Sequence, residues 1–315
     1  MSAANDMRAQ RNAIFLGGAE GMFIDIHAHA RKYPGTGRFA YDNFATPEQL
    51  LARYDALGVA KGVLLPLVSP EVYEPQSNGE ILDICESYPD RFVPFCNIDP
   101  RAMTNSETAP LGELLAFYKD KGCKGLGEML PNLPLNHPLV DNLLHHCNQH
   151  RMPVTFDMAT KIGGTYGVYE EPGLPYLERA LNEFPDVIFL GHSPPFWAEI
   201  AVLEPVESRS GYPKGPVKQE GVVPRLLRQY PNLHGDLSAG SGYNAISRDP
   251  DYGASFLEEF QDKLYFGLDI CDPAGPVPLV DFLVQLRDSG RISLGCFEKI
   301  AWRNANRLLD LGLDL

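Results

Sequence analysis

Eight short apolar runs, each followed by a longer stretch with helix signals, set the rhythm of this chain. The runs fall at 23–27 (FIDIH), 62–68 (GVLLPLV), 91–98 (RFVPFCNI), 123–129 (CKGLGEM), 153–158 (PVTFDM), 187–192 (VIFLGH), 233–238 (LHGDLS) and 264–269 (LYFGLD). Helical stretches begin at Thr46-Pro47-Glu48-Gln49 and recur at 77–88, 107–120, 138–150, 174–184, 222–230, 252–262 and 277–288, with a last one at 296–310. Thr46 is placed to cap its helix, Pro47 suits the first turn, and Gln49 completes a capping box. This alternation predicts parallel strands joined by crossover helices. Eight repeats predict a closed (β/α)8 TIM barrel, one domain over residues 22–315 with an N-terminal extension at 1–21. The 315 residues suit a single barrel. An open doubly wound sheet is the competing architecture, but no G-x-G-x-x-G turn follows the first run. Residues 194–221 are rich in Pro, Gly and charge, and they mark a long active-site loop or lid.

Charge narrows the partners. A formal net charge of −14 repels phosphate backbones and anionic membranes, so the expected partner is a small molecule, not nucleic acid or a membrane. A homo-oligomer is compatible with the sequence. The six cysteines include no C-x-x-C pair, which predicts reduced thiols and a cytoplasmic setting. The N-terminal stretch lacks the apolar run of a signal peptide.

In a barrel of this kind the chemistry gathers at the carboxyl ends of the strands. The first strand ends in His27 and His29, the fourth in Glu128, the fifth in Asp157, the sixth in His192, the seventh in Asp236 and the eighth in Asp269. Residues two apart on a strand face the same way, so both first-strand imidazoles can reach one metal ion.

These pieces resemble the amidohydrolase superfamily, and look closest to the amidohydrolase-related branch that includes aminocarboxymuconate-semialdehyde decarboxylase-like proteins. The matching motifs are Ile24-Asp25-Ile26-His27-Ala28-His29-Ala30, Gly191-His192-Ser193, Phe266-Gly267-Leu268-Asp269 and Asn304-Ala305-Asn306-Arg307-Leu308-Leu309. The resemblance implies that His27 and His29 are metal ligands. It implies that His192 binds metal or polarises substrate and water, and that Asp269 binds metal and takes a proton from a nucleophilic water. Two departures stand out. Asp157, in Pro153-Val154-Thr155-Phe156-Asp157-Met158, stands where the branch usually has a histidine. Glu128 stands where binuclear members can carry a carbamylated lysine. One metal, or a carboxylate-bridged pair, is therefore expected, with Asp157 and Glu128 as further ligands or supporting groups.

The resulting expectation is a metal-dependent hydrolase acting on a small amide, ester or lactone. Zn²⁺ is preferred for the mixed nitrogen and oxygen donors, with Mn²⁺ and Fe²⁺ as alternatives. Two other readings stand beside it: a metal-dependent non-oxidative decarboxylase, and a barrel that has lost catalysis and only binds ligand. Trp197, with Tyr166, is expected to wall the substrate pocket, and Arg31 and Arg248 to hold a substrate carboxylate. His145, His146 and His150 read as one helix face, Asp236 as a structural acceptor, and Cys271 as a buried thiol.

Overall fold

The alternation folds into two parallel sheets that close on each other. The structure is a computed structural model and describes residues 23–33, 44–72, 74–203, 205 and 209–313. The extension expected at 1–21 lies outside the described residues. Strand β1 (Phe23–Ala28) leads through helix α1 (Pro47–Leu57) to β2 (Val59–Leu64), then α2 (Asn78–Ser87) to β3 (Phe92–Pro94) and α3 (Leu111–Asp120) to β4 (Leu126–Met129). Helix α4 (Pro138–His150) returns to β5 (Val154–Phe156), from which a small parallel pair, β6 (Met158–Ala159) and β7 (Val168–Tyr169), projects. Then follow α5 (Pro175–Glu183), β8 (Phe189–Gly191), α6 (Pro194–Ala198), α7 (Val222–Gln229), β9 (Leu233–Asp236), α8 (Ala239–Ser247), α9 (Pro250–Glu259) and β10 (Leu264–Tyr265). Helix α10 (Pro278–Asp288) precedes a broken closing helix: α11 (Leu294–Glu298), a π-helical turn (Lys299–Arg303) and α12 (Asn304–Leu309).

One sheet runs β1-β2-β3 and the other β10-β9-β8-β5-β4. Single parallel bridges at Cys96–Leu126 and Ala28–Ile270 join them at both edges, which closes an eight-stranded barrel. The lumen is filled by Ile24, Ile26, Val63, Phe95 and Leu190, and Leu309 of α12 packs against the same cluster. Among the described residues no helix is long and apolar enough to cross a membrane.

Local chemistry explains where elements begin and break. Thr46 accepts from the Gln49 N–H, and the Gln49 side chain accepts from the Thr46 N–H, as the capping box requires. Gly58 ends α1 in the left-handed region at φ 74°, and β2 starts at once, three residues earlier than the apolar run suggested. The helix expected over 296–310 is present from Leu294 to Leu309, and the π turn within it lets the Ile300 carbonyl accept from the Phe266 N–H at 2.9 Å.

The loops at the carboxyl face are tied to one another. Arg101 holds Glu71 through two nitrogens at 2.7 and 2.8 Å and also binds Asp99 at 2.7 Å. Arg101 beside it lowers the Glu71 carboxyl to about 2, against the opposing effect of burial. The folded-state value lies below the ordinary one. The pair therefore stabilises above about pH 5, and its contribution fades as pH falls toward about 2. Both side chains are about a quarter exposed, so solvent screening leaves about 1–2 kcal/mol. Glu71→Ala is expected to lower the melting temperature at pH 7 and to lose most of that deficit as pH falls to about 2. An equal deficit at both pH values would show that the loss is packing.

Candidate metal centre

A slip in β1 aims the first histidine. The register of β1 against β2 gains one residue between Asp25 and Ala28, so the strand bulges there. A bulge re-aims side chains at the end of a strand. Ile26 stays in the lumen cluster, while His27 reaches Asp236 on β9 and His29 reaches the Leu65 carbonyl. Asp25 anchors the bulge: its Oδ1 accepts from the His27 and Leu268 N–H groups at 3.0 and 2.9 Å, and the Tyr54 hydroxyl donates to its Oδ2 at 2.7 Å.

The protonation of the two imidazoles follows from their outer partners. His27 Nδ1 is 2.7 Å from Asp236 Oδ2, and His29 Nδ1 is 3.0 Å from the Leu65 oxygen. Both partners are acceptors, so each ring places its N–H on Nδ1 and, when neutral, a lone pair on Nε2. The two Nε2 atoms lie 3.2 Å apart. Two lone pairs that close repel each other unless a cation or a proton lies between them.

Two carboxylates complete the cage. Glu128 Oε2 is 3.6 Å from both Nε2 atoms. Asp269 Oδ1 is 3.3 Å from His29 Nε2 and 3.7 Å from His27 Nε2. A tetrahedral ion with bonds of about 2.0–2.2 Å needs donor atoms about 3.3–3.6 Å apart, and the separations among His27, His29 and Asp269 and from Glu128 to the two histidines, 3.2–3.7 Å, lie near that range. His27, His29 and Asp269 form one group able to hold an ion, and Glu128, Asp157 and His192 form another beside it. The donor set is nitrogen and oxygen, which suits zinc, manganese or iron.

His192 stands across the cleft. Its Nδ1 is 3.0 Å from the Ser238 hydroxyl and 3.4 Å from Asp236, and its Nε2 points between Glu128 Oε1 at 3.7 Å and Asp269 Oδ2 at 3.9 Å. Electrostatics divides the four carboxylates. Burial alone would raise Glu128 and Asp269, but the three imidazoles outweigh it and hold both below the usual range, Asp269 at about 2. Asp236 is likewise held down by His27 and His192 against its burial. Asp157 goes the other way: burial pushes it well up, and the neighbouring Glu128 and Asp269 add to that. So much buried negative charge around these rings calls for positive charge among them, either a bound cation or, without one, a proton on His27, which the surrounding carboxylates favour against its burial.

Two pocket halves meet at these groups and share Asp157, Tyr166 and Asp269. Phe44, Leu67, Val72 and Leu130 form an apolar wall on one side. The other half is a cavity of about 370 Å³, bounded by His192, Tyr212, Ser241 and Tyr243. That volume is in the usual range for a small-molecule site. Cys271 lies on the apolar side, half-buried where a buried thiol was expected, with its sulfur 3.6 Å from Asp269 Oδ1 and its pKa raised by desolvation.

Three expected substrate contacts fall elsewhere. Trp197 is 1 % exposed; it packs against Phe196 and Phe256, and its indole N–H donates to the Asp236 carbonyl at 2.8 Å. The segment after β8 opens with α6, whose inward side is core, so this aromatic backs the site instead of walling it. Arg31 is buried over the Phe44 ring and bonded to the Glu74 carbonyl, and it lines neither pocket half. Arg248 stands at the C-terminal end of α8, about 13 Å along the helix from the end that meets the cleft. Tyr166 does line both halves. His145 and His146 share Gln149 on an exposed helix face. Sequence reading gave no part to Ser238, Leu65 or Tyr212, none of which belongs to a motif with metal chemistry.

Asp236 offers a test of how the cage is held. Asp236→Asn keeps the volume but removes the charge that orients His27, and metal affinity is expected to fall about 10–100-fold. Competition with a chromophoric chelator measures this. An unchanged affinity would make Asp236 a support of the fold alone.

A family model described as Amidohydrolase matches residues 24–311. No curated protein matches the chain. Among solved structures, a zinc-bound amidohydrolase from Burkholderia multivorans is 13 % identical with a TM-score of 0.61, over 91 % of this chain and 99 % of that one. A probable 2-pyrone-4,6-dicarboxylic acid hydrolase from Acinetobacter baumannii is 17 % identical with a TM-score of 0.56, over 91 % and 99 %. The 2,6-dihydroxybenzoate decarboxylase from Rhizobium is 16 % identical with a TM-score of 0.54, over 93 % and 99 %. At these identities the likeness shows the barrel fold.

Proposed function

The chain belongs to the amidohydrolase family, whose model spans nearly all of it, and from that premise we propose that it is a metal-dependent hydrolase of a small ester, lactone or amide. The observation that carries this reading is the pair of Nε2 lone pairs 3.2 Å apart, caged by Glu128 and Asp269. His27, His29, Glu128 and Asp269 would hold a divalent ion, zinc by preference, with Asp157 and His192 beside them. When bound, the ion supplies Lewis acidity: it makes a water acidic enough to attack at neutral pH and polarises the acyl oxygen.

The protein's own groups do the rest. Asp269 is held ionised and reaches into the cleft, so it can accept the proton that the attacking water loses. His192 is fixed by Ser238 and Asp236 with Nε2 facing the cleft, where it can orient the substrate oxygen or hand a proton to the leaving group. Asp157, on the cleft wall, narrows the space beside Glu128.

The apolar wall of Phe44, Leu67, Val72 and Leu130 favours a second reading, decarboxylation of an aromatic acid whose ring would pack there. One experiment decides. Protein purified without chelator is assayed for metal, then screened against esters, lactones, amides and aromatic acids with parallel detection of acid and carbon dioxide. Acid release that depends on zinc or manganese supports the hydrolase. Carbon dioxide release supports the lyase. Less than about a tenth of an equivalent of metal, with no gain on reconstitution, overturns both.

A further inference from the structure

Helix α8 begins in the cleft with its donors unused. Ser238 is its N-cap residue, and a serine there normally accepts from the backbone two or three residues on. Here its side chain makes no cap bond, because the hydroxyl is committed to His192 Nδ1 at 3.0 Å. The first turn-closing bond is that from the Gly242 N–H to the Ser238 carbonyl. The N–H groups of Ala239, Gly240 and Ser241 therefore have no partner among the described residues, and all three residues line the 370 Å³ half of the pocket.

A second, independent observation points the same way. Ser241 is 2 % exposed, and its Oγ is buried with no hydrogen-bond partner among the described residues. A buried hydroxyl without a partner costs stability unless something else satisfies it. The Tyr212 hydroxyl lies over the same turn: a Cβ on Gly240 would stand 3.0 Å from it. Glycine at 240 thus leaves room for a third kind of donor. Among the described residues lining both pocket halves there is no Lys or Arg, and Asp157 and Asp269 line this half too, so the helix end is the part of this wall that attracts an anion, while the two carboxylates oppose one until the cage holds its ion.

We infer that the N-terminal turn of α8, with Ser241 Oγ and the Tyr212 hydroxyl, is a carboxylate subsite that binds an acidic group of the substrate away from the bond that reacts. This rests on the hydrolase reading and narrows it. The substrate is an ester, lactone or amide that also carries a carboxylate, seated so that its acyl carbon lies among His29, Glu128 and Asp269.

Glutarate serves as the probe, titrated calorimetrically into zinc-loaded protein and its variants, with zinc content measured in each sample. Ser241→Ala is expected to weaken glutarate about tenfold or more, since a hydrogen bond to a charged group is lost, and to leave zinc content unchanged. The same variant is expected to melt at the same temperature or higher, because an unsatisfied hydroxyl has gone. Tyr212→Phe, on a half-exposed side chain, should weaken glutarate severalfold without affecting the fold. Glutarate affinity unchanged in both variants would place the anion on the metal and overturn the subsite. A clear fall in the melting temperature of Ser241→Ala would show that the hydroxyl has a structural partner, and would overturn it too. Failure of the metal reading looks different: zinc content stays near zero whatever glutarate does.

Discussion

Protein carrying both His27→Ala and His29→Ala is expected to bind less than about a tenth of an equivalent of zinc, to lose all measurable turnover, and to keep its fold. The reasoning starts from the barrel. Its stability comes from the lumen cluster around Ile24, Ile26, Val63 and Phe95 and from the helices outside it. The two imidazoles sit at the carboxyl rim, where their removal takes away two of the four cage donors. Removing them also takes a partner from the Leu65 carbonyl and from Asp236, which keeps the Ser238 N–H and His192, so a small loss of stability is expected. Circular dichroism and thermal melting check the fold, and metal analysis checks the site. A variant that cannot fold would make the ion a structural one.

Asp269→Asn should act on turnover far more than on binding. In metal-replete protein, the turnover number is expected to fall about 10²–10⁴-fold while the apparent substrate affinity changes little. Asparagine has nearly the same shape and can still present an oxygen toward His29, but it cannot accept the proton that Asp269, held ionised by three imidazoles, is placed to take. The backbone here sits in the left-handed region at φ 53°, which asparagine tolerates well, so the substitution adds no strain of its own. Near-normal turnover with metal retained would remove Asp269 from the role of base.

Much of this was legible in the sequence. Each strand-end polar residue was readable because it interrupts or closes an apolar run, and a barrel collects such residues at one rim. His27, His29, Glu128, His192 and Asp269 do converge, each with a side-chain nitrogen or oxygen within 4 Å of another of the set. The i, i+2 argument for the two histidines is incomplete: their Nε2 atoms do meet at 3.2 Å, but the bulge after Asp25 also sets where His27 points. Trp197 was misread because a Pro- and Gly-rich segment looks like an open loop, whereas its first turn is a buried helix. Arg248 was misread because sequence distance from a strand end says little about which end of the next helix faces the cleft. The supports were not legible at all. Leu65 holds His29 through a main-chain oxygen, which no side-chain pattern encodes, and Ser238 reaches His192 across 46 positions.

The closing seam of the barrel has a consequence for biosynthesis. His27 and His29 come from the first strand, while Asp269 comes from the segment after the last; its N–H donates to the His27 carbonyl at 2.8 Å. The seam between them, Ala28 to Ile270, joins parts of the chain more than 240 positions apart. A chain emerging from the ribosome therefore carries its histidines long before it has the aspartate that completes their cage. Long-range contacts of this kind form late. Partly made chains would lack a competent site, so on the proposed reading activity arrives only with the finished barrel, and loading with an ion would report completed folding.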